Sequence, residues 1–110
     1  MNLPDSYRSL LDRSGISLQN PGLNEKALKR VDALYAVTVL RDAGVPILGG
    51  DVYFRHGNRI ELAYANWHAD PKPGEDRHVY LKRSWDTTES YVKRFPDTKD
   101  KEPLFVLVTG

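Results

Sequence analysis

Asp51, Tyr53, Asn66 and His68 come closest, in type and spacing, to a chemical site in this 110-residue chain. Asp51 follows Gly49-Gly50 at the end of the apolar run Pro46-Ile47-Leu48, and Asn66-Trp67-His68 closes the segment that answers it. A carboxylate, a phenol, an amide and an imidazole converging at one end of a hairpin would make a small ligand pocket or an acid–base site. The glycine pair precedes a strand and fits neither G-x-G-x-x-G nor a Walker loop. It reads as a bulge or a close backbone approach rather than a phosphate cradle. Aspartate is disfavoured within strands. Asp51 is therefore expected to accept hydrogen bonds from nearby N–H groups, Asn66 or a tyrosine hydroxyl, or else to project beside Tyr53 as a contact residue; the first reading is preferred.

Other constellations fall away. His56, His68, Asp70 and His78 lack the H-E-x-x-H or H-x-x-x-H spacing of a zinc-binding helix and read as exposed side chains, so no metal is expected. No serine sits in a G-x-S-x-G elbow. Asp51 and Glu61 would meet as paired carboxylates only if the hairpin register slipped. No catalytic residue and no cofactor are expected. Without cysteine there is no thiolate ligand, no thiol nucleophile and no disulfide framework.

Sixteen basic and fifteen acidic residues leave a net charge of +1. The balance is also local, with six basic against five acidic groups in the first fifty residues and ten of each in the rest. A nucleic-acid binder carries a basic excess on one face, and Asp51 and Glu61 would repel phosphate. No nucleic-acid partner is expected, and contacts should be mixed polar and aromatic. The N-terminus Met1-Asn2-Leu3-Pro4-Asp5 shows no signal peptide, and no apolar run is long enough to cross a membrane. The expectation is one cytoplasmic domain over residues 1–110.

The elements that would position these residues follow from periodicity and punctuation. Tyr7, Leu10 and Leu11 share one face of a short helix over 4–14, ended by Gly15 with Ile16 folding back on Leu11. Residues 16–23 read as a loop. A longer helix spans 25–43, capped by Asn24 and stapled by Leu23 against Leu28. Its expected apolar face is Leu28, Val31, Leu34, Tyr35, Thr38 and Val39, and Lys26, Lys29, Arg30 and Arg41 form a solvated face. Gly44 ends it, with Val45 reaching back to Leu40, and Pro46 forbids continuation.

Two strands, 46–55 and 59–66, form a hairpin. A three-residue loop His56-Gly57-Asn58 pairs Phe54 with Ile60 and Val52 with Leu62, and sets Tyr64 beside Gly50. Val52, Phe54, Ile60, Leu62 and Tyr64 then share the core face, opposite Asp51, Tyr53, Arg55, Glu61 and Ala63. Burial specifies register, so this arrangement is expected over a two-residue loop. Residues 67–74 read as a loop, with Trp67 either at the core edge or an exposed anchor. The stripe Leu81, Trp85, Thr88, Val92, Phe95 predicts a helix over most of 76–95. The alternative is a shorter helix begun by a capping box at Asp86-Thr87-Thr88-Glu89. Leu104-Phe105-Val106-Leu107-Val108 is the pattern of a central strand, over 103–109. The order α-α-β-β-α-β predicts an α+β fold, a small mainly antiparallel sheet packed against helices.

The stretch Pro46-Ile47-Leu48-Gly49-Gly50-Asp51-Val52-Tyr53, followed by Tyr64-x-Asn66-Trp67, resembles the core signature of immunity protein family 40 of bacterial polymorphic toxin systems. The Leu- and Ala-rich helix ending in Ala43-Gly44 and the helix carrying Tyr91-Val92 are similar too, and the resemblance covers roughly residues 15–95. It implies a non-enzymatic α+β protein that neutralises a cognate toxin by stoichiometric contact. The family brings no active site to transfer. Gly49, Gly50, Tyr64 and Asn66 are then expected to serve the shared fold. Asp51, Tyr53, Arg55, His56, Arg59, Glu61, Trp67, His68 and Asp70 are the candidate partner contacts, with the loops 56–59 and 68–77 foremost. The alternative is a small enzyme or ligand-binding domain built on Asp51, Tyr53, Asn66 and His68. A concave pocket joining those four side chains would favour it.

Overall fold

The computed structural model describes residues 3–18 and 25–110. In chain order it contains α1 (Asp5–Ser14), β1 (Ile16–Ser17), β2 (Lys26–Lys29), α2 (Arg30–Asp42), β3 (Ile47–His56), β4 (Arg59–His68), α3 (Arg77–Arg94) and β5 (Glu102–Thr109). The strands form one antiparallel sheet in the order β1-β2-β5-β3-β4. The α+β class and the main element order are as the sequence predicts, with β1 and β2 added.

The sheet is asymmetric because β5 is central and buried on both sides. Phe105 and Leu107 point to one face, where they join Tyr7 and Leu10 of α1, Val37 and Leu40 of α2, and Val92 of α3 in the main core. All three helices therefore cover that face. Leu104 and Val106 point the other way, into a smaller cluster with Leu18 and Ala27, flanked by Ile16, Tyr53 and Ile60. A strand buried on both faces carries an unbroken apolar run, which is why this element is so plain in the sequence. No helix among the described residues is long and apolar enough to cross a membrane.

The expected helix over 25–43 is shorter at its start. Lys26-Ala27-Leu28-Lys29 are good helix formers, yet they form a strand in which Leu28 pairs with Phe105 and Lys29 with Leu104. Propensity is a weak prior, and here it loses to the demand of β5 for a second neighbour. The Asn24 cap and the Leu23 staple lie outside the described residues.

The inward face of α2 is Ala33, Ala36, Val37 and Leu40, while Val31 and Tyr35 are 71% and 55% exposed. Small alanines let the helix lie close to the sheet; counting only large apolar residues rotates the face wrongly. Arg30, expected to be solvated, instead donates to the Val92 and Lys93 carbonyls and pairs with Asp97 at 2.7 Å. A guanidinium there satisfies the last carbonyls of α3.

The two helix ends differ. Gly44 takes φ 70°, donates to the Arg41 carbonyl at 3.0 Å, and is followed by a Val45 N–H to Leu40 bond of 2.9 Å. That is the Schellman ending anticipated for α2. Gly15 stays extended, at φ −70°, and is needed because a Cβ would strike the Leu11 carbonyl oxygen and the Lys26 side chain.

The hairpin departs from expectation in register. The loop is the two residues Gly57-Asn58, so Phe54 faces Glu61 and Tyr53 faces Leu62. Beyond that point β4 bulges. Val52 pairs with Ala65, and Ala63 and Tyr64 are extra, so Trp67 rather than Tyr64 lies beside Gly50. The alternation argument assumed one uniform ladder; a bulge lets each half of a strand take its own register. At the outer half Ile60 and Leu62 join the face of Tyr53, while Glu61 joins that of Phe54. Lys101 stabilises this mixture by pairing with Glu61 at 2.7 Å and lying 5.5 Å from the Phe54 ring centroid.

Residues 77–94 form one uninterrupted helix. Asp76 caps it, accepting from the N–H groups of His78 at 2.9 Å and Val79 at 3.3 Å. The segment Asp86-Thr87-Thr88-Glu89 lies mid-helix, so the alternative start is not used.

Candidate partner-binding surface

The signature residues come together as a packing unit. Trp67 is 5% exposed, with its indole between β3 and α3. Its ring stacks on Tyr91 at 4.7 Å between centroids and meets Phe105 edge-on at 6.5 Å. Its Nε1–H donates to Thr88 Oγ1 at 3.0 Å. The glycines make room for it. A Cβ on Gly50 would strike the Trp67 ring and the Val106 carbonyl oxygen; one on Gly49, whose φ is 151°, would strike the Trp67 carbonyl oxygen. The register with β5 also shifts between Ile47 and Gly49. Bulge and close approach, the two readings preferred over a phosphate site, are both present.

Helix α3 is fastened to this unit by polar groups buried in its apolar stripe. Ser84 Oγ accepts from the Ile47 N–H at 3.2 Å and donates to the Leu81 carbonyl, and Trp85 Nε1–H donates to the Val45 carbonyl at 2.7 Å. Thr88 stood in the predicted stripe, but its role as acceptor did not show. A serine or threonine at a core-facing helix position is the signal that a donor elsewhere needs a partner.

The candidate contact residues are spread along the hairpin. His56 and Arg59 are exposed at its tip, and His68 and Asp70 at its other end. Ten residues of strand separate the ends by about 30 Å. Arg55 is held by Glu102 at 2.6 Å and Glu61 by Lys101, whose ammonium keeps the Glu61 carboxyl below its usual range. Trp67 belongs to the core. Asp51 is half-buried opposite Asn66; among the described residues its carboxylate has no hydrogen-bond partner, so the expected pinning is not seen. Tyr53 is half-buried too, and burial, then Glu25 and Asp51, pushes its phenol upward.

Asp51, His68 and Asp70 line a depression of about 240 Å³ with Gly49 and Gly50, but Tyr53 and Asn66 do not enter it. The four-residue polar cluster therefore does not converge on one pocket. No group of three or more possible metal ligands occurs among the described residues.

Residues 69–76 are held by an ion pair. Glu75 accepts from Arg83 Nε and Nη2, each at 2.8 Å, and from the Lys72 N–H at 3.0 Å, while Arg83 also reaches the Asp70 carbonyl. The Arg83 hydrogen bonds lead the causes that bring the Glu75 carboxyl from 4.5 down to about 2. A carboxyl depressed in the folded state contributes stability above its unfolded pKa and loses it as pH falls through the folded one. Thermal unfolding midpoints should therefore fall between about pH 4.5 and 2, and Glu75→Gln should flatten that part of the profile.

Tyr64 is where sequence reasoning missed most. Expected in the core, it is 91% exposed, at φ 55° in the β4 bulge. An L-residue in this left-handed region costs roughly 1–2 kcal/mol, and at Tyr64 little packing offsets it. Leu62, expected beside it in the core, is 51% exposed. Nothing in the residue types marks a bulge at this point, since Tyr is a good strand former.

Comparison with known proteins finds no match among curated proteins and none among solved structures. The model of the family described as Immunity protein 40 matches residues 17–109. That span runs from β1 to the end of β5 and contains the whole Gly49–Gly50–Trp67 unit. On this match over most of its length, the chain belongs to the Immunity protein 40 family.

Proposed function

We propose that this protein binds a cognate bacterial toxin domain and neutralises it by stoichiometric contact, without turnover, in the cytoplasm of the producing cell or its siblings. The carrying observation is the family match across residues 17–109. The packing of the signature supports the reading. Gly49, Gly50 and Trp67 serve the scaffold, which leaves the exposed hairpin flank and the loops to differ with the toxin each protein must fit. The partner is a protein, with no nucleic acid or membrane involved: charge is balanced along the chain, and Arg55 of β3 and Lys101, just before β5, are each matched by a carboxylate.

Co-expression tests this. Cells making the toxin encoded beside this gene should survive when this chain is present, and the two purified proteins should form a complex of fixed stoichiometry. Absence of both protection and association would overturn the proposal.

A further inference from the structure

We infer that the toxin docks on the open flank formed by β4 and the C-terminal half of α3, with Tyr64 as its anchor and with carboxylates of the toxin meeting Arg59 and Arg94. This rests on the immunity reading above and says where that contact is made.

Four observations carry it. First, β4 ends the sheet: among the described residues it pairs only with β3. Second, Tyr64 is held in the left-handed region at the bulge with its ring almost wholly in solvent. An unusual backbone conformation that gains no internal packing points to a use outside the molecule, and tyrosine is among the residues enriched at the energetic centres of interfaces.

Third, a groove of about 680 Å³ runs along α3, walled by Thr87, Tyr91, Arg94, Phe95 and Pro96. Tyr91 also stacks on Trp67 of β4, and Ala63 and Ala65, on either side of Tyr64, pack against the same main core that Tyr91 and Phe95 border. The groove therefore runs beside β4, the strand that carries Tyr64.

Fourth, the charges there are one-sided. Glu61 is matched by Lys101 and Asp86 by Lys82, whereas Arg59 and Arg94 form no ion pair among the described residues. An apolar surface bordered by two arginines fits a partner face that offers a slot for an aromatic ring and carboxylates around it. The bulge splits the β4 edge into two short runs, which discourages pairing with a long strand of a second copy and favours recognition through side chains.

The test uses the full chain and the toxin domain encoded beside its gene, with affinity measured by titration calorimetry. Tyr64→Asn keeps a residue type that tolerates the left-handed region. It should weaken binding about thirtyfold or more, the scale of an interface hot spot, while the unfolding midpoint stays the same or rises. Arg94→Glu should weaken binding and reduce its salt dependence, and Arg41→Glu, an equal charge change on exposed α2, should leave affinity unchanged. If the wild-type chain binds and both flank variants bind equally well, the docking surface is elsewhere and the immunity reading stands. Should the wild-type chain fail to bind or protect, both fall. A wild-type dimer that Tyr64→Asn converts to monomer without change in toxin affinity would assign the flank to a second copy and overturn the inference.

Discussion

Trp67→Ala is expected to lower the unfolding free energy by about 3–5 kcal/mol, the range for removing a large aromatic from a packed core. Three losses combine. The indole is buried between β3 and α3; it stacks on Tyr91 and touches Phe105; and its N–H satisfies the buried Thr88 hydroxyl. The cavity could not close by a small local shift, because Ser84 and Trp85, one turn before Thr88, fix α3 to Ile47 and Val45. Equilibrium denaturation in urea would measure the change. Trp67→Phe should recover most of the loss, since it keeps the aromatic contact and forfeits mainly the hydrogen bond, a difference of about 0.5–1.5 kcal/mol. If the alanine variant lost less than about 1 kcal/mol, far below the range for such a deletion, the indole would not be the keystone between hairpin and helix.

Gly50→Ala is expected to cost about 3 kcal/mol, at the upper end for overpacking, although it adds one methyl group. The new Cβ meets a backbone carbonyl of β5 on one side and the Trp67 ring on the other, and neither is the yielding end of a flexible chain. Gly57→Ala provides the comparison. Gly57 has φ 60° but nothing within 4 Å of an added Cβ, so that variant reports backbone strain alone, about 1 kcal/mol. Equal losses for the two variants in the same denaturation experiment would show that crowding at Gly50 is not what the glycine relieves. Combined with Trp67→Ala, which vacates the space, Gly50→Ala should cost less than it does alone, because residues in contact are not additive.

The fold was legible wherever one physical demand dominated a segment. β5 is buried on both faces, so its apolar run reads directly as a central strand. The stripe through Thr88 and Val92 persists over about four turns, so α3 is plain, and the Schellman ending at Gly44 is written in Gly44-Val45-Pro46. The site was legible in part. The signature pointed to the right family, and the preference for close packing at the glycines agrees with the structure. Tyr64 and Trp67 exchanged places: the residue assigned to the core face is in solvent, and the one left between core edge and anchor is buried.

What the sequence by itself determined is the set of segments with their own strong periodicity or punctuation: the first helix, the body of α2, the hairpin, α3 and β5, together with family membership through Gly49, Gly50, Asp51, Tyr53, Tyr64, Asn66 and Trp67. Tertiary structure alone decided three things. Lys26–Lys29 became a strand because β5 offered a ladder, which outweighs the small helix propensities of lysine, alanine and leucine. The inward face of α2 became its alanine side because the helix approaches the sheet closely. The hairpin took a two-residue loop and a bulge because burying Trp67 beside Gly50 is stabilised by several contacts at once, whereas the outer half of the hairpin, half open to water, constrains its register weakly. Local pattern fixes what a segment prefers; only the partner strands and helices determine which of two nearly equal preferences is realised, and here that choice placed Tyr64 in solvent on the open flank.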